Sequence, residues 1–596
     1  MSAPVHYRVE AADLHAHLWR VTLTVERPAP RQRVSLPVWI PGSYLVREFA
    51  QHLQRLQAEA DGVPVPVRAL NKNTWEVACG TAHTVVLRYE VYAFDTSVRT
   101  AWLDSTRGFF NPTSLCLRVH GREQGPHALT LVANDATRHW RVATALPRAD
   151  APRTRRRGWR WPDDAGMGTY LAADYDELAD HPFELGTFWC GDFDVRGVPH
   201  RFVVSGAPAG FDGARLLTDT ARLCEAAMAL WHGPHGRPPF DRYLFMLHAT
   251  RDGYGGLEHR HSTALVCART DLPLAPLPGT HAPDDAPVPL KAGDGYTTLL
   301  GLISHEYFHT WNVKRLRPRE FARYDYDREN HTELLWFFEG FTSYYDDLLV
   351  LRAGLIDQAT HLELLARTIN QVLSTPGRLV QTVAQASFDA WTKYYRVQEN
   401  TPNATVSYYT KGALVALCLD LTLRAEGHTT LDDVMRALWQ RCGGGPMREA
   451  DLRAVLRRLA RRSFDAELDA WVHSTAELPL QPLLQRHGIR WVEEPAPLAQ
   501  RLGVRVDESG GALRLRNVLR GSAAEAAGLA AGDEWLAVQR SQHVWRVHRL
   551  DDVALHARGL GTDEPLLAWV ARDGRVLRCA LHWPAPAHTV KLLPPA

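Results

Sequence analysis

The spacing of apolar residues changes twice along the chain, so one type of secondary structure cannot account for all of it. Up to about residue 178 the pattern alternates. His17-Leu18-Trp19-Arg20-Val21-Thr22-Leu23-Thr24-Val25 and Thr84-Val85-Val86-Leu87-Arg88-Tyr89-Glu90-Val91 place apolar side chains at every second position, as half-buried strands require. Turn pairs such as Pro41-Gly42 and Asp61-Gly62 separate these runs. From Leu216 to Trp231 the spacing becomes helical, and further helical patterns follow to about residue 488. Beyond Glu493-Glu494-Pro495-Ala496-Pro497, which reads as a linker, short strands return. The expectation is a multidomain α+β protein, and 596 residues leave room for about three to five domains.

Composition excludes several classes. Hydrophobic residues make up 45% and charged residues 23%, the profile of a folded chain rather than a disordered one. The 68 Lys and Arg against 67 Asp and Glu leave a net charge of +1, which offers no attraction for nucleic acid or an anionic membrane. The eight cysteines form no Cys-x-x-Cys pair, so neither a zinc ribbon nor a disulfide scaffold is expected. The longest apolar run near a helical pattern, Gly412 to Leu419, stops at Asp420, short of the ~20 residues a membrane span needs. Met1 to Val9 lacks the basic start and apolar core of a secretory signal, and the expected location is cytoplasmic. Asp271 to Gly293, with six prolines, reads as an exposed loop, and the basic run Arg153-Thr154-Arg155-Arg156-Arg157 as a solvated one.

The strongest chemical signal is His305-Glu306-Tyr307-Phe308-His309. Residues four apart share a helix face, so both imidazoles can reach one metal ion, with Glu306 beside them near a bound water. A catalytic zinc takes three protein ligands and keeps a position open. Glu339, in Trp336-Phe337-Phe338-Glu339-Gly340-Phe341, sits in an aromatic run where an unpaired carboxylate is costly, and a cation would remove that cost. Gly340 beside it would let two helices approach closely.

Near the C-terminus, Gly521-Ser522-Ala523-Ala524-Glu525-Ala526-Ala527-Gly528 carries a capping-box pair and a glycine stop, and Gly532-Asp533 turns into the strand Trp535-Leu536-Ala537-Val538. This arrangement resembles a PDZ domain. The resemblance implies that an extended peptide is bound by strand addition, with Arg501-Leu502-Gly503-Val504 as counterpart of the carboxylate-binding loop.

The run from His305 through Thr310-Trp311-Asn312-Val313-Lys314-Arg315-Leu316-Arg317-Pro318 closely resembles the zinc-helix signature of the glycyl aminopeptidase family, metallopeptidase family sixty-one, a gluzincin family. Pro37-Val38-Trp39-Ile40-Pro41-Gly42-Ser43-Tyr44 is similar to the same family's first domain. The resemblance implies one catalytic Zn2+ held by His305, His309 and Glu339, with Glu306 as general base. Ser407-Tyr408-Tyr409-Thr410-Lys411-Gly412 resembles the gluzincin Tyr-x-Lys-Gly motif, which assigns Tyr409 to the oxyanion and leaves Tyr408 as the competing residue. Gly253-Tyr254-Gly255-Gly256-Leu257-Glu258-His259 resembles the exopeptidase motif; Glu258 would pair with the substrate ammonium, and Gly255 and Gly256 would let backbone approach the ligand. His259 and His261 are given supporting or surface roles rather than metal ligation.

The implied architecture is an N-terminal β-sheet domain over 1–178, a thermolysin-like zinc catalytic domain over 179–355, a helical domain completing the site over 356–488 and a PDZ-like domain over 489–596. The implied function is zinc-dependent aminopeptidase action on peptides, with a preference for small residues such as Gly or Ala. The alternatives are a zinc endopeptidase, or a non-catalytic scaffold in which the PDZ-like region binds a peptide C-terminus or another part of the chain. Neither nucleic acid nor membrane is an expected partner.

Overall fold

The computed structural model describes residues 4–150, 161, 166–276, 290, 291, 293–561 and 564–595. The basic run Arg153 to Arg157 lies outside the described residues, as does most of the proline-rich stretch after Pro276. The described residues form two compact units. The first comprises Met1–His331, Tyr345–Asp357 and Met435–Asp451; the second comprises Thr332–Tyr344, Gln358–Val434 and Leu452–Ala596.

In the first unit the alternating runs become a seven-stranded sheet. Leu18–Glu26 pairs antiparallel with Thr84–Tyr92 along its whole length, from Leu18 opposite Tyr92 to Glu26 opposite Thr84. Trp19, Val21, Leu23 and Val25 all face inward and are buried, which fixes the register, because a slip of one residue would turn them out to water. Two four-stranded sheets accompany it. A buried ion pair, Arg107 to Glu184 at 2.7 Å, ties the antiparallel strands Arg107–Phe110 and Phe183–Gly186 together.

The same unit holds a five-stranded sheet in which Val198–Ser205, Tyr243–Thr250 and Ser262–Ala268 run parallel. The crossover between the first two carries the helix Gly213–His232, started by the Asp212 carboxylate accepting from Arg215 N–H. Gly255–Glu258 closes this sheet as an antiparallel edge strand beside Ser262–Ala268. The helix Gly295–Phe308 packs against those two strands and buries Leu299, Leu300, Leu302, Ile303, Tyr307 and Phe308. It ends well before Pro318. The chain runs on in tight turns, Thr310 N–H donating to Tyr307 O and Asn312 N–H to Phe308 O, which brings the Asn312 carbonyl against His309.

In the second unit, helical turns meet at two glycines. A Cβ on Gly340 would lie 2.5 Å from the Gly412 Cα, and one on Gly412 would lie 2.5 Å from the Trp336 carbonyl oxygen. The neighbours are backbone, which cannot swing aside. Gly340→Ala should therefore lower stability by about 1–3 kcal/mol through overpacking, although alanine is the better helix former by about 1 kcal/mol. Denaturant unfolding checks this: an unchanged or raised midpoint would show that the helices part without cost.

The C-terminal part of this unit is a six-stranded sheet with Val504–Asp507 at one edge. Leu513, Leu515, Trp535, Val538, Ala568 and Val570 fill its core. The short helix Ala523–Ala526 is capped by the Ser522 hydroxyl accepting from Glu525 N–H, and Gly528 follows at φ 79°. Among the described residues no helix is long and apolar enough to cross a membrane. The eight cysteines are free.

Candidate active site

The two imidazoles of the His-x-x-x-His helix are oriented by acceptors on their outer nitrogens. His305 Nδ1 lies 3.0 Å from the Asp346 carboxylate, and His309 Nδ1 lies 2.7 Å from the Asn312 carbonyl oxygen. Both outer nitrogens therefore carry the proton, and both Nε2 lone pairs point inward. The two Nε2 atoms are 3.0 Å apart. Two lone pairs at that distance repel each other unless a cation lies between them.

Glu339 sits where the turn Leu335–Phe338 runs on into the helix Gly340–Arg352, its N–H bonded to Leu335 O and its carbonyl to Ser343 N–H. It is buried. Seven residues further along the same helix comes Asp346, the His305 partner, two turns on and therefore on the same face. One ligand atom from each of His305, His309 and Glu339 lies within 4.8 Å of the others. Two neutral imidazoles and a buried carboxylate make a donor set that suits a divalent zinc-like cation. The residues present fit the group that the sequence implies.

Glu306, between the two histidines, is buried and lies against the edge strand. A side chain at Gly256 would run into its carboxylate, so that position must be glycine for Glu306 to lie there. Its Oε2 has no hydrogen-bond partner among the described residues. Burial pushes its carboxyl up to about 7; the charges of His305 and His309 oppose this, and that of Glu258 adds to it. Glu258, at the other end of the same edge strand, is also buried, and its Oε1 lacks a partner among the described residues. Gly255 takes φ 155° beside Gly256.

Tyr409 precedes the helix Thr410–Glu426, half-buried, with its hydroxyl 2.8 Å from that of Tyr395. Burial first, and then the Glu339 charge, hold its phenol well above the ordinary range, so it stays a donor. Tyr408 is fully buried and its ring stacks on that of Tyr409, with centroids 4.7 Å apart.

His259 is buried too. Its Nδ1 lies 3.3 Å from Asp180, whose carboxylate also takes the buried Lys314 ammonium at 2.7 Å and the Arg260 N–H at 3.1 Å. His261 is half-buried and stacks on His181 rather than lying on the surface. Sequence reasoning missed Asp346, the Asn312 carbonyl and Tyr395. Only Asp346 left a trace, as a carboxylate two turns after Glu339.

Residues 6–187 match the family described as the Peptidase M61 N-terminal domain, and residues 298–415 match the M61 glycyl aminopeptidase family. A crystal structure of an aminopeptidase N family protein from Idiomarina loihiensis superposes with a TM-score of 0.89 at 35% identity, covering 99% of this chain and 98% of that one. An M1 zinc metallopeptidase from Deinococcus radiodurans reaches a TM-score of 0.46 at 16% identity, over 80% of this chain and 94% of that one, too distant to bear on the reaction. No curated protein matches. With both family regions in place and a relative alike from end to end, the chain belongs to the M61 glycyl aminopeptidase family.

Proposed function

We propose that the protein is a zinc-dependent aminopeptidase that removes the first residue of a peptide, with a preference for small residues such as Gly or Ala. The observation that carries the exopeptidase reading is the edge strand Gly255–Glu258. Its Gly256 touches the base Glu306, and its end bears a buried carboxylate oxygen with no partner among the described residues. An unsatisfied buried carboxylate is costly, and a substrate ammonium at Glu258, two residues along the strand from Gly256, would satisfy it.

His305, His309 and Glu339 would hold the zinc, which when bound supplies a Lewis acid for the scissile carbonyl and makes a nearby water more acidic. Glu306 then accepts the attacking water's proton and carries it to the leaving amine. Tyr409 donates a hydrogen bond to the carbonyl oxygen as the carbon becomes tetrahedral. Glu258 fixes the amino terminus, and with it the distance from the first peptide bond to the base.

Residues 489–596 are read as a PDZ-like region that takes an extended peptide. Supporting this are Val504–Asp507 at a sheet edge and Gly503 at φ 73° just before it.

Substrate pairs test the exopeptidase reading. Glu258→Ala should raise KM strongly for aminoacyl reporters with a free amine, with part of the loss in kcat. It should change the slow cleavage of amino-acetylated analogues little. Equal losses on both would mark structural damage, and efficient wild-type cleavage of acetylated peptides would establish an endopeptidase.

A further inference from the structure

The motif Pro37-Val38-Trp39-Ile40-Pro41-Gly42-Ser43-Tyr44 is a loop that follows the N-terminal strand Arg31–Ser35. The structure holds this segment firmly. Val38 N–H donates to Tyr326 O at 2.8 Å, and Trp39 Nε1–H donates to Asp325 O at 2.7 Å. Ser43 N–H closes the turn onto Ile40 O at 3.0 Å, and its hydroxyl accepts from Arg47 Nε at 3.0 Å. Trp39, Ile40, Ser43 and Tyr44 are buried.

The tip of this turn meets the exopeptidase strand. Gly42 has φ 94°, and a Cβ there would lie 2.6 Å from each carboxylate oxygen of Glu258 and 2.7 Å from Leu257 Cδ1. Both oxygens thus rest against bare backbone, and only glycine tolerates both the conformation and the contact. A second contact comes from Arg99. Its guanidinium donates to the Gly256 carbonyl at 2.8 Å, while its buried Nε has no partner among the described residues. Asn111 Nδ2 donates to Val98 O at 2.8 Å and to Thr100 O at 3.1 Å, which fixes the backbone on both sides of Arg99. Gly255–Glu258 is the edge of its sheet, so among the described residues no further strand pairs with its outer side, and such contacts help to set its position.

We propose that Gly42 and Arg99 are positioning residues of the peptidase site: two turns between the N-terminal strands supply a stop against which Glu258 rests and an arginine that pins Gly256. They thereby set how far a peptide's amino terminus can reach beyond the bond to be cut. The inference rests on the aminopeptidase reading above. It adds that the exopeptidase restriction is set by residues distant in sequence from the strand that carries it.

The test compares a free aminoacyl reporter with its amino-acetylated analogue on wild type, Gly42→Ala, Arg99→Met, Arg99→Lys and Glu258→Ala, with thermal melting and zinc content measured on each. Gly42→Ala should raise KM for the free amine about ten- to hundredfold, because a misplacement of about 1 Å at the reacting bond can cost about 10²-fold. The acetylated analogue should change by no more than about twofold. Arg99→Met should act in the same direction, and Arg99→Lys should recover part of the loss by keeping a cationic donor. If Gly42→Ala does not fold, the Arg99 pair carries the test alone, since only a side-chain contact is altered there. Equal losses on the two substrates, or none, overturn the positioning role. If Glu258→Ala discriminates between the substrates while Gly42→Ala and Arg99→Met do not, only this inference falls. If Glu258→Ala itself treats both alike, the aminopeptidase reading falls and takes this inference with it.

Discussion

Glu306→Gln should leave zinc bound while lowering kcat by about 10²–10⁴-fold, the usual contribution of a positioned acid–base group. The amide matches the carboxylate in shape, so it can still lie against Gly256, where no side chain fits. It cannot take a proton from water. The inward-facing His305 and His309 Nε2 atoms are held by Asp346 and Asn312, not by Glu306, so metal affinity should survive the change. Steady-state kinetics with zinc content measured on the same sample decides the matter. A variant that keeps both its metal and its turnover would remove Glu306 from the reaction.

Tyr409→Phe should lower kcat by about 10²–10³-fold with little change in KM, the typical loss when one oxyanion donor is removed. The ring remains, so its stacking on Tyr408 and the packing before the helix Thr410–Glu426 are kept. The hydroxyl pair with Tyr395 is lost, and Tyr395→Phe separates the two contributions. If Tyr395→Phe matches Tyr409→Phe, the pair acts as one donor system. If Tyr409→Phe leaves kcat unchanged, the oxyanion role lies elsewhere.

Much of this was legible from the order of residues. Alternation marked the strands Leu18–Glu26 and Thr84–Tyr92 because one face of each is buried, and burial of one face writes a period of two into the sequence. The His305 and His309 pair was visible because both ligands sit on one helix. Asp346 was harder: its role depends on a contact with His305 across 41 residues, and such a contact imposes no period. The Asn312 carbonyl left no trace, since a backbone oxygen carries no residue identity. The premature end of the histidine helix went unseen for the same reason. Gly42 and Arg99 lie hundreds of residues from Glu306, and only the folded chain brings the strand Gly255–Glu258 against them. The segments Tyr345–Asp357 and Met435–Asp451 join the first unit, an interleaving that a linear pass cannot show.

The helix Gly340–Arg352 follows Glu339 without a break and carries Asp346, one residue offered to the metal and the other steadying a histidine. These two jobs are therefore geared together like teeth on one shaft. Each added residue turns the shaft by about 100°, so the stretch between the two carboxylates can change length only in near-whole turns. Surface loops generally tolerate changes in length, but this interval is quantised. A deletion or insertion of one residue within it would swing one carboxylate off the site while the other stayed.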